Sequence, residues 1–287
     1  MPDVQLPIAF QGVPGAYSHQ ACTEAFPGMP ALSCETFEAA IAAVREGAAG
    51  LAMLPVENST YGRVADIHHL LPDSGLQIIG EHFLRVHINL LAPRGARIAD
   101  IASAMSHTVL LGQCRAFLRE HGIAPRVGAD TAGSAQAVAA AGDPTVAALA
   151  SELAGEIYGL DVLARHIEDQ SNNTTRFLVM APEARPAPPD APALTSFVFR
   201  VRNIPAALYK AMGGFATNGV NMTKLESYMI GGQFTATQFY ADIEGHPEDP
   251  PVARALEELA YFTSTMQILG VYPSHPFRIA QASPPEA

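Results

Sequence analysis

The sequence predicts an α/β protein of two lobes followed by a smaller βαββαβ unit, and three observations carry that expectation. Short apolar runs at 6–10, 51–56, 77–81, 86–91, 146–149 and 176–180 alternate with helical stretches at 36–46 and 133–141. Strand-then-helix repetition is the pattern of largely parallel sheets covered by helices. The run from His82 to Ala92 reads as a crossover into a second sheet, which predicts two lobes with a cleft between them, the usual seat of a small ligand. The proline-dense stretch 181–194 cannot continue a regular helix and separates two folding units.

The expected organisation is a two-lobed region over residues 1–180, a linker over 181–194, a second domain over 195–275 and a frayed tail over 276–287. After the linker come a strand at 195–201, a helix beginning near Pro205, two strands around Gly231 and Gly232, a helix at 252–262 and a strand at 266–271. That order is the ferredoxin-like split arrangement. Domains of this shape commonly pair through their sheets, so a homodimer or homotetramer is expected.

Composition narrows the function. With 287 residues and 48% hydrophobic content, the chain can bury two cores, and its 16% charged residues are too few for a disordered chain. The net charge is −11, from 17 Lys and Arg against 28 Asp and Glu, without a basic run. Nucleic acid is therefore excluded as a partner, because phosphate binding needs clustered cations. A small anion is still admissible, since one or two placed arginines suffice. Cys22, Cys34 and Cys114 form no C-x-x-C pair, which points to a reducing compartment and away from a disulfide scaffold or structural zinc. The N-terminus has neither the basic nor the long apolar segment of an export signal, and no window reaches the ~20 apolar residues of a membrane span. A soluble, cytoplasmic protein that does not bind membranes is expected.

Four segments carry residue types suited to chemistry. Gly12-Val13-Pro14-Gly15-Ala16-Tyr17-Ser18 joins a strand to a helix; its amides suit a carboxylate, or it is a turn needing positive φ with Ser18 as the N-cap. Glu57-Asn58-Ser59-Thr60-Tyr61-Gly62 follows an apolar strand, at the carboxyl end where α/β sheets bind ligands; the alternative is a capped turn. Ser106-His107-Thr108 precedes Gln113-Cys114-Arg115; Ser106 caps a helix whose Gln113 faces the cleft or lies on the surface. Asn172-Asn173-Thr174-Thr175-Arg176-Phe177 sets an arginine among hydroxyls and amides. That arrangement forks a carboxylate, or Arg176 pairs with Glu168 or Asp169. The ten histidines show no metal-ligand spacing.

In this order, Glu57-Asn58-Ser59, Ser106-His107 with Gln113-Cys114, Tyr158-Gly159-Leu160 and Asn173-x-Thr175-Arg176-Phe177 resemble the prephenate dehydratase family from near Ile8 to Met180. The region after the linker resembles an ACT domain. The resemblance implies a catalytic region of two lobes like those of type II periplasmic binding proteins, and no metal or organic cofactor. It implies that prephenate, or its amino analogue arogenate, is dehydrated and decarboxylated. Thr175, Asn58, Ser106 and Gln113 would assist the departing hydroxyl. Glu57, Ser59, Thr174, Arg176 and Phe177 would bind substrate, with Arg176 either fixing the side-chain carboxylate or ordering the loop.

Phenylalanine is the implied effector, at Leu208, Asn218, Asn221, Met222, Glu226 and Ser227. The family's Gly-Ala-Leu and Glu-Ser-Arg-Pro segments stand here as Ala206-Ala207-Leu208 and Glu226-Ser227-Tyr228-Met229. These departures bear on phenylalanine control. No helical stretch for a fused chorismate mutase precedes Ile8, so a single activity is expected. A reading from another class is a non-catalytic sensor whose cleft only reports a small molecule.

Overall fold

The computed structural model describes residues 6–188, 191–202, 204–229 and 236–282. The chain divides into two compact units, Met1–Arg63 with Phe83–Phe177, and Val64–His82 with Leu178–Ala287. The elements are β1 (Ile8–Gln11), α1 (Tyr17–Ala25), β2 (Ala31–Cys34), α2 (Phe37–Arg45), β3 (Leu51–Asn58), β4 (Gly62–Arg63), α3 (Ala65–Leu70) and β5 (Gln77–Arg85). There follow β6 (Asn89–Ala92), β7 (Ser103–Ser106), α4 (Thr108–Gln113), α5 (Arg115–Glu120), β8 (Ala124–Val127), α6 (Thr131–Ala141), β9 (Val146–Ala150), α7 (Glu152–Tyr158), β10 (Asp161–Ala164) and β11 (Thr174–Ala181). Last come β12 (Ala193–Val201), α8 (Ala207–Thr217), β13 (Met222–Met229), β14 (Ala236–Glu244), α9 (Pro250–Phe262), β15 (Thr263–Pro273) and α10 (Pro276–Ala282).

The first sheet runs β2-β1-β3-β11-β5 with β4 paired to β3, and the second runs β10-β6-β9-β7-β8. These are two α/β lobes, and the chain crosses between them twice, from β5 to β6 and from β10 to β11. The crossover expected at 82–92 is there, with β5 ending at Arg85 and β6 opening the second sheet at Asn89. The expectation of largely parallel sheets needs correction for the second lobe. Its β7 pairs in parallel with β8 and β9, but β6 and β10 pair antiparallel. The cause is β6, by which the chain enters this lobe: it alone runs against the others, while β10, antiparallel to β6, runs with β7, β8 and β9.

Local chemistry sets the helices. Thr36 caps α2 by accepting from Ala39 N, Glu38 and Arg45 complement the helix dipole, and Ala40, Ile41 and Val44 bury one face. Asp130 caps α6 and Ser151 caps α7, and each helix stops at a left-handed glycine, Gly142 and Gly159. The core of the second lobe gathers Ile88, Leu90, Leu111, Leu118 and Leu149.

The last four strands form an antiparallel sheet in the order β13-β14-β12-β15. With α8 and α9 this is the expected βαββαβ arrangement, and its core holds Phe197, Phe199, Phe215, Phe239 and Leu259. Gly231 and Gly232 lie outside the described residues. The connector has no helix or strand over 182–188. Where a frayed tail was expected, residues 276–282 form α10, and Arg278 holds Glu81 through Nε at 2.7 Å and Nη2 at 3.0 Å. Sequence periodicity is blind to such a two-point ion pair. Among the described residues no helix is long and apolar enough to cross a membrane.

Two backbone positions in this unit yield predictions. Ala206 precedes α8 with φ 62°, in the left-handed region that costs a residue with a Cβ about 1–2 kcal/mol. Glycine's freer unfolded chain costs about 0.4–1 kcal/mol, so Ala206→Gly should raise stability by up to about 1 kcal/mol in urea unfolding. At Gly270 a Cβ would stand 2.1 Å from the carbonyl oxygen of Ile78. Gly270→Ala should cost at least about 2 kcal/mol, read as a lowered melting temperature.

Candidate active site

A closed ring of side chains joins β3, the turn after it, the end of α4 and the approach to β11. Asn58 Nδ2 donates to Asn173 Oδ1 at 2.7 Å, and Asn173 Nδ2 donates to Gln113 Oε1 at 3.1 Å. Gln113 Nε2 donates to Thr60 Oγ1 at 2.8 Å, and Thr60 Oγ1 donates back to Asn58 Oδ1 at 2.7 Å. The direction is fixed by the main chain. The amides of Thr60 and Tyr61 both donate to Asn58 Oδ1 at 3.0 Å, and since a backbone N–H can only donate, the amide side of Asn58 must face the other way. There Asn58 Nδ2 also donates to Thr175 Oγ1 at 2.9 Å. The Thr175 hydroxyl thus accepts one bond and keeps its own O–H to give.

Backbone contacts hold this ring in place. Ser59 Oγ donates to Asn172 O at 2.7 Å and accepts from Thr174 N at 2.9 Å, while Ser59 N donates to Thr174 O. Arg85 Nη1 donates to Asn173 O at 2.9 Å. Arg176 is 2% exposed and its Nη1 meets Glu57 Oε1 at 2.9 Å. This pair replaces the expected partners of Arg176: Glu168 accepts from Ile88 N at 2.9 Å and meets His87 Nδ1 at 3.1 Å, and Asp169 accepts from Ala116 N.

Asn58, Gln113 and Thr175 are therefore brought together, with Glu57, Ser59, Thr174 and Arg176 around them. Ser106 is not in the ring. It is fully buried and donates to Leu149 O at 2.7 Å, tying β7 to β9. Nor does it cap α4; His107 does, by accepting from Val109 N. Phe177 is buried in the core. Thr60 and Asn173, which residue type alone does not mark out within these segments, complete the ring. Their signal was an asparagine followed two residues on by a threonine, the spacing of a side-chain turn.

Two cavities lie in this unit, and the first borders the ring. One of about 250 Å³ is lined by Thr60, Gln113, Asn173, Arg115, Glu168 and Asp169. The other, of about 540 Å³, lies among the Gly12–Ser18 turn, Ser33 to Glu35, His107 and Thr131. That turn has positive φ at Gly12 and Gly15, while Ala16 rather than Ser18 is the N-cap of α1. It docks on the second lobe: Ser151 Oγ donates to Gly15 O, Tyr158 donates to Pro14 O, and a Cβ on Gly15 would stand 2.7 Å from Ala154 Cα. Tyr17 donates to His87 O at 2.9 Å, and burial raises its phenol well above the ordinary value. Burial, with the carboxylates of Asp169 and Glu168, likewise raises the Cys114 thiol and keeps it unreactive.

The expected effector residues are spread over the two ends of α8 and along β13 and the residue before it. Leu208 packs on the domain core, as does Met222. Asn218 donates to Gly214 O and Glu258 and accepts from Arg254. Asn221 O accepts from Glu244 N, Glu226 meets Lys224 at 3.3 Å, and Ser227 is exposed. Tyr228 is buried, accepting from Gln238 Nε2 at 2.6 Å.

The fold is that of a two-lobed α/β enzyme region followed by an ACT-like domain. The chain belongs to the prephenate dehydratase family, whose model matches residues 8–185. It is 53% identical over 272 residues to the bifunctional N-acyl-homoserine lactone acylase/prephenate dehydratase of Komagataeibacter europaeus, covering 94% of this chain and 97% of that one. It is 39% identical over 285 residues to the chloroplastic arogenate dehydratase/prephenate dehydratase 1 of Arabidopsis thaliana, covering 94% and 73%. The Arthrobacter aurescens prephenate dehydratase crystallised with L-Phe superposes with TM-score 0.84 at 28% identity, covering 96% and 97%.

The turn at Gly12–Ser18 carries a pH prediction. His19 Nδ1 accepts from Gly15 N at 3.1 Å, its ring stacks on Phe10, and burial lowers its pKa from the ordinary 6.5. As pH falls below that value the unfolded chain takes the proton first, so the stability present above it is lost. The melting temperature should drop between pH 7.5 and 5.5, and by less in His19→Asn.

Proposed function

We propose that the chain is a dehydratase that converts prephenate to phenylpyruvate, or by the same step its amino analogue arogenate to phenylalanine, with loss of water and carbon dioxide and with the Thr175 hydroxyl and its amide ring as the catalytic centre. The reaction breaks the bond from the ring carbon to its carboxylate, sends that electron pair into the ring, and expels the hydroxyl opposite, which leaves as water after taking up a proton. Aromatisation drives it. The protein has only to hold the anion and assist the leaving hydroxyl.

The observation that supports this reading is the Asn58 to Thr175 bond of 2.9 Å. A hydroxyl that accepts from an amide N–H donates more strongly in turn. Threonine is far too weak an acid to protonate the leaving group by itself, so Thr175 donates a preorganised hydrogen bond, and Asn58, Thr60, Gln113 and Asn173 keep it aimed. Loss of such a donor costs about 10²- to 10³-fold in rate. Arg176, buried against Glu57, orders the strand that carries Thr175; of the two roles considered for it, this is the one its burial favours.

We further infer a cytoplasmic homodimer or homotetramer in which residues 195–275 form the regulatory domain. The L-Phe complex of the Arthrobacter aurescens relative supports phenylalanine as its effector. A second activity, amide hydrolysis on N-acyl-homoserine lactones, is supported by 53% identity to the Komagataeibacter europaeus relative whose name states it. Release of fatty acid from such a lactone would test it.

The main test is a kinetic assay on prephenate. Thr175→Ala and Asn58→Asp should fold with the wild-type circular dichroism spectrum and lose about 10²- to 10³-fold in kcat, while Thr175→Ser should retain most of it. Full turnover by Thr175→Ala would remove the hydroxyl from the mechanism, and a folded wild type inert on prephenate and arogenate would point to a sensor.

A further inference from the structure

The cavity of about 250 Å³ beside the ring has charged groups that prephenate chemistry does not call for. Among its described lining residues the cation is Arg115 and the anions are Glu168 and Asp169. Prephenate is a dianion bearing a keto group, and two carboxylates facing it are adverse. Arogenate bears an ammonium and a carboxylate on the carbon where prephenate has its keto group. A guanidinium and a carboxylate on one wall match that pair, charge for charge.

Asp169 is placed for this. Its carboxylate accepts from Ala116 N through both oxygens, at 3.2 and 3.4 Å, which uses one donor and leaves most of its acceptor capacity. Its side chain is exposed. Glu168 is committed elsewhere, to His87 and to Ile88 N, and contributes negative potential. Gln113 links the two ends of the site: its carbonyl accepts from Asp169 N at 2.7 Å while its side chain closes the ring that aims Thr175. Arg176, buried against Glu57, leaves carboxylate binding in this cavity to Arg115.

We propose that this cavity is an amino-acid subsite in which Asp169 takes an ammonium and Arg115 the carboxylate beside it, making Asp169 the residue that turns the enzyme toward arogenate. The proposal rests on the dehydratase reading above. Its test is kcat/KM of the full chain on arogenate and on prephenate, for wild type, Asp169→Asn, Asp169→Ser and Arg115→Gln. Asn and Ser both keep an acceptor for the Ala116 amide, so the cap survives. The wild type should favour arogenate, and Asp169→Asn and Asp169→Ser should each shift the arogenate-to-prephenate ratio toward prephenate by about 10-fold. Arg115→Gln should lower kcat/KM for both substrates by about 10-fold, through KM. An equal loss on both substrates in the Asp169 variants would reduce Asp169 to a support for Gln113 and overturn the proposal, as would a wild type that prefers prephenate by about 10-fold. A wild type inert on both is a different result, which removes the dehydratase reading itself.

Discussion

The orientation of one carboxamide sets the polarity of the whole side-chain ring. Asn58 receives two backbone amides on its oxygen, so its nitrogen is turned toward Asn173 and Thr175. Reversed, the same side chain would set an oxygen against Asn173 Oδ1, and the polarity of every bond in the ring would be contradicted. Main-chain geometry, set by the turn after β3, thus selects the hydrogen-bond direction all the way around a ring of four side chains. A part-buried polar network satisfied at each member resists rearrangement.

The double crossover gives that ring its place. Thr175 and Asn173 lie where the chain returns from the second lobe, and Asn58 and Thr60 lie where β3 ends beside them, while Gln113 comes from the second lobe itself. The Gly15 approach to Ala154 and the hydroxyl bonds from Ser151 and Tyr158 hold the same two lobes at another point. The ring therefore spans both lobes, and the sequence segments that carry the family resemblance fall into two jobs. Glu57-Asn58-Ser59 and Asn173 to Phe177 build the centre; Tyr158-Gly159-Leu160 fastens the lobes.

Periodicity made the apolar strands β1, β3, β9 and β11 legible, along with α2, α6 and the βαββαβ order. It missed β8, whose four residues are all exposed and include Pro125, and β2 and β10, which unlike β1 have no fully buried residue to make an apolar run. The candidate site was readable as segments but not as a network. Nothing in one sequence says that Gln113 and Thr60 touch, 53 residues apart, or that Arg176 turns inward to Glu57. Ser106 shows the opposite failure: a hydroxyl at a strand end looks like chemistry, and the fold spends it on a neighbouring carbonyl.

The clasp between Glu81 and Arg278 brings time into the picture. The two residues are 197 positions apart, so at ~5–20 residues per second the ribosome delivers the guanidinium roughly 10–40 s after the carboxylate. Residues 64–82 must wait through that interval, because the strands and helix that complete their unit are the last to emerge. The other unit is complete in sequence once residue 177 has been made. Synthesis thus imposes an order of assembly, in which the residues of the first unit are all made before the strands β12 to β15 of the last sheet emerge.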